Sequence, residues 1–594
     1  MQLCKTVHDM LLKLENSSNK NPKLLGYQEN EEWKYLSTEE ALEIIRRASY
    51  SLAALGIKKG EKLGILALPS PQWTLLDMAI TSIGLISVPI FPNISEGNFL
   101  FEVKQTEIKK LFVGGNTAWD LVQRNQKIFD LVVDMEGKSP ISEVMSFEDF
   151  LKIGDKLRQE QPDLVLRLRN SIKPTEIATI VYTSGSTGVP KGAVLTQQSI
   201  VGTVDVQGFE WNEKETDIYL SILPLAHIFG RVLNFASVGN AATTCYLQDP
   251  KAIAKACGEL RPTFLAVVPR LLEKVYAKII FKIQSSTPVK KTIGQWAFDL
   301  ANDESSDSIY KHIMHAIADK AVYSAFREAL GGRVRILISG GAALNPHLYH
   351  FFEEIGFPVL QGWGLTEVCP VTINLPHAKK TATCGRPIIG NQIKIGENNE
   401  ILVKGPINML EYYKNQEATA KVIDKEGWIH TGDAGVIDNE GFLTIVGRIK
   451  EMFKTSTGEY IVPVPIEQAV ARIPLIDTAL VVAEGRKYAT LLLFPDFEVL
   501  AKWKADQNML QLSDEEFLQS DFVHNQIKGI LDSVNDTLNR WEKILDYRFI
   551  LHRLSIESGE LTPSMKVKRD VLEKKFAPII NTMYVADVDP VIQI

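Results

Sequence analysis

Apolar residues recur along this chain at two alternating spacings, and the alternation predicts a regular succession of helices and strands. Residues 41–55 carry them at helical spacing, and the apolar run at 62–68 predicts the strand that follows. The segment 177–183 is rich in β-branched residues, which predicts a buried strand leading straight into a glycine-rich loop. Segments 263–269 and 334–339 read as two more short strands. Between them, 270–282 and 311–330 have the pattern of amphipathic helices, separated by a polar stretch around 302–308. Such an alternation favours an α/β fold with largely parallel sheets.

The pattern changes character near Gly447-Arg448-Ile449-Lys450. Before that point lie a turn-rich segment, Asp438-Asn439-Glu440-Gly441, and a strand over 442–446. After it comes a fresh series: a helix over 465–473, strands over 478–483 and 489–495, and a charged segment around Lys566. We expect a large N-terminal domain, 1–447, and a C-terminal domain, 448–594.

Composition narrows the classes. The chain has 594 residues, 45% of them hydrophobic, enough for packed cores and against wholesale disorder. With 65 Lys+Arg against 72 Asp+Glu the net charge is −7, which leaves no electrostatic footprint for nucleic acid. The five cysteines are never spaced Cys-x-x-Cys, which speaks against a disulfide scaffold or a zinc site and suits a reducing cytoplasm. The most apolar window, 78–91, is interrupted by Thr81, Ser82, Gly84, Ser87 and Pro89 and falls short of the ~20 apolar residues of a membrane span. Any membrane contact is therefore expected to be peripheral, at the inner face.

The segment richest in chemistry is Tyr182-Thr-Ser-Gly-Ser-Thr-Gly-Val-Pro-Lys191-Gly192. Glycines let backbone N–H groups approach phosphate oxygens, hydroxyls add donors, and the lysine adds positive charge. It is not a Walker loop, because the Gly-Lys-Ser/Thr ending is missing.

The order of these eleven residues resembles the signature of the adenylate-forming enzymes: acyl-CoA synthetases, luciferases and peptide-synthetase adenylation domains. Four more segments in the same order strengthen the resemblance. Gln361-Gly-Trp-Gly-Leu-Thr366-Glu367 looks like the adenine and magnesium segment. Gly427-Trp-Ile-His-Thr-Gly-Asp433 and Gly447-Arg448-Ile-Lys450 look like the ribose and hinge segments. Leu561-Thr-Pro-Ser-Met-Lys566 looks like the segment that holds the catalytic lysine. Within the family the chain is most similar to bacterial long-chain fatty acyl-CoA synthetases, through Val268-Pro-Arg-Leu-Leu-Glu-Lys-Val-Tyr276, the helical insertion up to Arg333, and Gly458-Glu459-Tyr460. It departs from the family at Gln197, where a histidine is usual, and at Ser199, where asparagine is frequent.

The resemblance implies a small, mobile α+β C-terminal domain on an α/β body. It also implies an ATP-dependent ligase that makes acyl-AMP from a long-chain fatty acid and passes the acyl group to coenzyme A. A fatty acyl-AMP ligase or acyl-carrier-protein synthetase would use the same adenylate. A carboxylate, with a pKa near ~4, is already ionised at neutral pH, so adenylation needs no general base. It needs fixed positive charge where an anion approaches a polyanion.

By this resemblance Lys566 is the catalytic lysine, with only the motif separating it from Lys568. Glu367 is the Mg²⁺ ligand, and Thr366 and the loop Thr183, Ser184, Gly185, Ser186, Thr187, Gly188 and Lys191 contact phosphates. Gly341, Ala342, Gln361, Gly362 and Trp363 form the adenine pocket. Asp433, a pure acceptor, takes the ribose hydroxyls, with Arg448 beside it. Lys450 is the hinge, and Gly458, Glu459 and Tyr460 help form the coenzyme A passage. His227, Val267 and Val268 line the acyl pocket, where each buried methylene is worth ~0.8 kcal/mol.

Overall fold

The computed structural model describes residues 4–18, 20–116, 118–183, 189–303, 308–388, 390–456, 459–562 and 565–584. Its helix starts follow from small polar caps and from proline. Ser37 and Glu40 form a capping box that opens the helix Thr38–Ala54. Ser70 accepts from the Trp73 N–H, with Pro71 in the first turn of the helix Pro71–Ser82.

The expected elements are present, with shifted ends. The strand at Ile177–Thr183 and the strand Ala489–Pro495 match their predicted bounds. The run at 62–68 pairs only over Lys62–Leu66, and that at 334–339 only over Ile336–Ser339. The strand expected over 263–269 is Phe264–Val267, because Pro269 cannot donate to a ladder and instead opens the helix Pro269–Gln284. The helix expected over 311–330 starts earlier and is divided. Ile309–Ala318 widens into a π-helical turn, Asp319–Tyr323, before Ser324–Glu328 resumes. There Tyr323 is buried with its hydroxyl on the Ala297 carbonyl, 2.9 Å away, and Arg327 reaches back to Asp319 at 2.6 Å. Past the expected boundary, the strand Leu443–Arg448 runs through Gly447, and the helix is Pro463–Val470.

Among the described residues the strands form two large sheets and three smaller ones. The nine-stranded sheet centres on four neighbouring parallel strands, Ile218–Ser221, Phe264–Val267, Ile336–Ser339 and Val359–Leu365. The seven-stranded sheet is parallel across Lys110–Val113, Lys62–Leu66, Ile86–Ile90 and Ile177–Thr183, with Lys191–Thr196 antiparallel at its edge. The largest core joins both sheets to the helices Pro71–Ser82 and Ile228–Gly239. Arg231 and Asp77 tie these helices together through a fully buried ion pair at 2.6 Å, with a second Arg231 N–H on Thr179. The four-stranded antiparallel sheet Gln392–Ile395, Glu400–Lys404, Ile429–Ile437 and Leu443–Arg448 completes the body.

The last part of the chain has its own core. A three-stranded sheet, Ile476–Val482, Ala489–Pro495 and Ile544–Phe549, is packed with the helices Pro463–Val470 and Asp521–Asp536. This smaller domain touches the body through side chains from both. Arg270 binds the Asp477 carboxylate and carbonyl, Arg472 donates to Asn345 Oδ1 at 2.9 Å, and Gln468 donates to the Ala343 carbonyl at 2.6 Å. All five cysteines are buried and free, as their spacing implies.

Candidate active site

The site forms where the parallel strands of the nine-stranded sheet end. Val267, Ser339 and Gln361 are consecutive partners across three strands, so their side chains share one face. Val267 and Gln361 are buried, whereas Val268, Gly341 and Ala342 open to solvent. Ser339 Oγ and Gln361 Oε1 are buried without a hydrogen-bond partner among the described residues. Gly341 has φ +81°, a left-handed conformation that suits glycine.

Thr366 and Glu367 make the two-residue turn between the antiparallel strands Val359–Leu365 and Val368–Ile373, where Leu365 pairs with Val368. Gly362 and Trp363 precede them on the same strand, paired with Ile373 and Thr372. Thr183 and Lys191 are partners at the base of the next hairpin. The loop residues Ser184, Gly185, Ser186, Thr187 and Gly188 lie outside the described residues.

Tyr412, which sequence reasoning did not single out, joins these two turns. Its hydroxyl donates to Glu367 Oε1 at 2.6 Å, and Lys191 Nζ stands 5.2 Å from the centre of its ring. Backbone bonds from Val194 to Glu411 and from Tyr413 to Gly192 fasten this segment to the edge strand. The one sequence signal was a Tyr-Tyr pair between two recognised motifs, too common to read alone.

Asp433 is buried, with Oδ2 hydrogen-bonded and Oδ1 in an ion pair but without a hydrogen bond among the described residues. The Trp363 indole N–H donates to Oδ2 at 2.9 Å, and Arg448 Nε lies 2.8 Å from Oδ1, across neighbouring strands. Burial pushes the carboxyl above its ordinary value, against the pull of Arg448, Trp363 and Lys566. Each carboxylate oxygen has a second lone pair, so ribose hydroxyls can still be accepted.

Lys566 comes from the smaller domain. It sits on a tight loop in which the Thr562 N–H donates to the Lys566 carbonyl at 2.8 Å and Thr562 Oγ1 accepts from the Lys566 N–H at 3.0 Å. The residue is exposed, and the charges that weigh on its ammonium come from Arg448 and Glu451 at the start of the smaller domain and from Asp433 and Glu367 on the body. Desolvation and Arg448 hold it below the usual lysine range, while Asp433, Glu451 and Glu367 oppose that shift. His227, at the N-terminus of the helix Ile228–Gly239, accepts from the Phe229 N–H at 3.2 Å. Burial, with a smaller contribution from Lys566, pushes its imidazole down to about 4, so it is neutral at pH 7.

Glu367, Asp433, Arg448 and His227 thus all lie within electrostatic reach of Lys566. Lys450 lies in the exposed turn Ile449–Glu451. Glu459 and Tyr460 belong to a separate hairpin, where Lys454 covers the Tyr460 ring. Gly458 lies outside the described residues.

Among the described residues no group of three or more His, Cys, Asp or Glu could hold a metal ion by itself. One carboxylate, Glu367, beside a phosphate-directed hairpin fits the way Mg²⁺ is ordinarily held, through a protein carboxylate and substrate phosphates.

Residues 14–413 match the model of the AMP-binding enzyme family, and 451–588 match that of the AMP-binding enzyme C-terminal domain. The chain belongs to the AMP-binding enzyme family. Among its members, the long-chain-fatty-acid–CoA ligase FadD15 of Mycobacterium tuberculosis is 30% identical over 93% of this chain and 92% of its own. Long chain acyl-CoA synthetase 4 of Arabidopsis thaliana is 30% identical over 92% of this chain and 86% of its own. The fold is that of the solved anthranilate CoA ligase AuaEII in complex with anthranoyl-AMP, with a TM-score of 0.72 at 17% identity over 98% and 99% of the two chains. The adenylation domain of a carboxylate reductase from Mycobacterium chelonae gives 0.73 at 21% identity, over 98% of this chain and 91% of that one. The family match spans the large domain of parallel-rich sheets and the smaller domain that carries Lys566.

Proposed function

We propose that the chain is an ATP-dependent long-chain fatty acid:CoA ligase, which joins a fatty carboxylate to AMP with release of pyrophosphate and then to the coenzyme A thiol. The observation that supports this reading is that the Lys566 ammonium, on the smaller domain, lies in the field of the Asp433 and Glu367 carboxylates on the body. An ammonium there faces both the carboxylate and the α-phosphate and offsets the charge that develops between them.

The body, residues 1–447, binds ATP and the acyl chain, and residues 448–594 act as the moving domain. Thr183, Lys191 and Thr366 hold phosphates. Gly341, Ala342, Gln361 and Trp363 surround adenine, and Asp433 with Arg448 takes the ribose. Mg²⁺ on Glu367, when bound, neutralises phosphate charge. Neutral His227 and buried, apolar Val267 suit an acyl pocket that excludes water, with Val268 at its solvent-facing edge. For the second step Lys566 withdraws as the domain turns about Lys450, and the hairpin of Glu459 and Tyr460 enters to form the thiol passage. Contact with membrane lipid is peripheral, in keeping with a substrate that partitions into lipid.

The test is a panel of carboxylic acids from acetate to eighteen carbons, with AMP and thioester measured against coenzyme A and an acyl-carrier protein. The reading predicts the highest kcat/KM for acids of about a dozen carbons or more, since apolar burial grows with each methylene. Acetate as best substrate would refute the chain length, and acylation of the carrier protein alone would refute the acceptor.

A further inference from the structure

The smaller domain grips the body at the loop proposed to face adenine. That loop, 341–345, follows the strand Ile336–Ser339 and leads into the helix Pro346–Glu354. The body fastens both of its ends. The Gly340 N–H donates to the Val267 carbonyl at 3.2 Å, and Leu344 and Asn345 are buried. The three residues between, Gly341, Ala342 and Ala343, are exposed. Among the described residues, the one hydrogen bond made to these three comes from the other domain, where the Gln468 amide donates to the Ala343 carbonyl at 2.6 Å. Two residues on, Asn345 Oδ1 accepts from the His347 N–H at 2.9 Å, which caps the helix, and from Arg472, also at 2.9 Å. Backbone that makes no hydrogen bonds to its own domain belongs to the least stable part of a fold, so the group that holds it sets its shape.

The same grip is joined to the segment of Lys566. Gln468 lies on the helix Pro463–Val470 next to Glu467. Glu467 Oε1 accepts from the Val481 N–H at 2.7 Å and from Arg569 at 2.5 Å, and Arg569 also donates to the Val481 carbonyl at 2.6 Å. Arg569 stands three residues after Lys566. One short helix thus holds the lysine segment through Glu467 and the adenine loop through Gln468. In a domain that moves as a rigid body, both engagements are made and broken together.

We infer that Gln468 and Arg472 are positioning residues, which fix the loop 341–345 around nucleotide while Lys566 is engaged and release it when the smaller domain turns. ATP is then held firmly in the arrangement that adenylates, and AMP departs from a loop that is no longer braced. By linkage, nucleotide on the loop favours the docked domain to the same extent. The inference rests on the nucleotide site and the domain movement proposed above, and names the residues that couple them.

Its test is calorimetric titration of ATP with Mg²⁺ into the full chain without fatty acid, beside the rates of both half-reactions. The variants are Gln468→Ala, Arg472→Met and Arg472→Lys; Asn345 is left intact because its side chain also caps the helix. Gln468→Ala and Arg472→Met should each raise the ATP Kd, and the ATP KM of pyrophosphate exchange, by on the order of tenfold. The kcat of exchange should stay near the wild-type value, as for lost uniform binding. Arg472→Lys keeps a charged donor for a single bond and should recover most of the affinity. Thioester formation from supplied acyl-adenylate should run at the wild-type rate in all three, because the loop is released in that step, and thermal unfolding should change little. Unchanged ATP affinity in Gln468→Ala and Arg472→Met, with the wild type binding ATP, would overturn the brace and leave the proposed function standing. Equal loss in both half-reactions would also overturn it, reducing the two residues to a structural role. No ATP binding by the wild type would overturn the nucleotide site itself, and the inference with it.

Discussion

The Tyr412 hydroxyl donates to Glu367 Oε1 across 2.6 Å, and the same tyrosine ring lies under Lys191 Nζ. A carboxylate held by a charge-assisted hydrogen bond has one oxygen fixed and the other left to face a ligand, which orients the proposed magnesium ligand before ATP arrives. Such a bond is worth about 1.5–3 kcal/mol. Tyr412→Phe should therefore raise the Mg²⁺ concentration for half-maximal pyrophosphate exchange by about tenfold, with little change in thermal stability. An unchanged Mg²⁺ titration would mean that Tyr412 only packs.

Asp433 and Arg448 give a second prediction. Asp433→Asn keeps an acceptor for the Trp363 indole but removes the charge that pairs with Arg448 at 2.8 Å. The ATP Kd should rise by about one to two orders of magnitude, as expected for loss of charge-assisted acceptors. Arg448→Lys should weaken ATP less, since it keeps the charge and loses the planar fork. Calorimetric titration of nucleotide into both variants decides this, and equal affinities would remove the ribose assignment.

Legibility from sequence followed the range of the interactions. Strand and helix identity, Ile177–Thr183 above all, was readable because it depends on local spacing. The π-helical turn at Asp319–Tyr323 was not, because it accommodates Tyr323 in a core made by distant residues. Motifs singled out Glu367, Asp433 and Lys566 as candidates, whereas Tyr412 stayed hidden because it meets Glu367 in a contact across 45 positions. The Arg270–Asp477 clasp between body and smaller domain spans 207 positions and has no sequence pattern at all. Of the passage residues, Glu459 and Tyr460 are exposed on their own hairpin, a location that their motif did not specify.

The lysine loop should also be sensitive to acid. Glu560 is buried beside it and accepts from Lys575 at 2.6 Å and from Ser558 at 2.6 Å, with the His552 ring at 2.7 Å. Desolvation raises its carboxyl, but hydrogen bonds from Lys575, Ser558, His552 and the Ser555 N–H outweigh that and hold it at about 2, against an ordinary 4.5. A depressed carboxyl contributes stability in full above the ordinary value, and that contribution is lost as pH falls from 4.5 towards about 2. Glu560→Gln should lower Tm by about 2–4 °C at pH 7. The gap from wild type should narrow as pH drops below 4.5. Scanning calorimetry over that range checks it, and a gap independent of pH would contradict it.

The central claim is that one lysine, carried by the smaller domain, serves adenylation and leaves before thioester formation. Single-turnover kinetics of each half-reaction in wild type and Lys566→Ala test it most directly. The variant should form acyl-adenylate at least about a thousandfold more slowly, as for loss of a preorganised electrostatic partner. It should nevertheless convert supplied acyl-adenylate and coenzyme A to thioester at close to the wild-type rate. In the wild type the adenylation rate should fall on the alkaline side below the usual lysine range, because desolvation and Arg448 lower the pKa of Lys566 and only the ammonium is active. Equal loss of both half-reactions in a normally folded variant, or full adenylation without Lys566, would contradict the account.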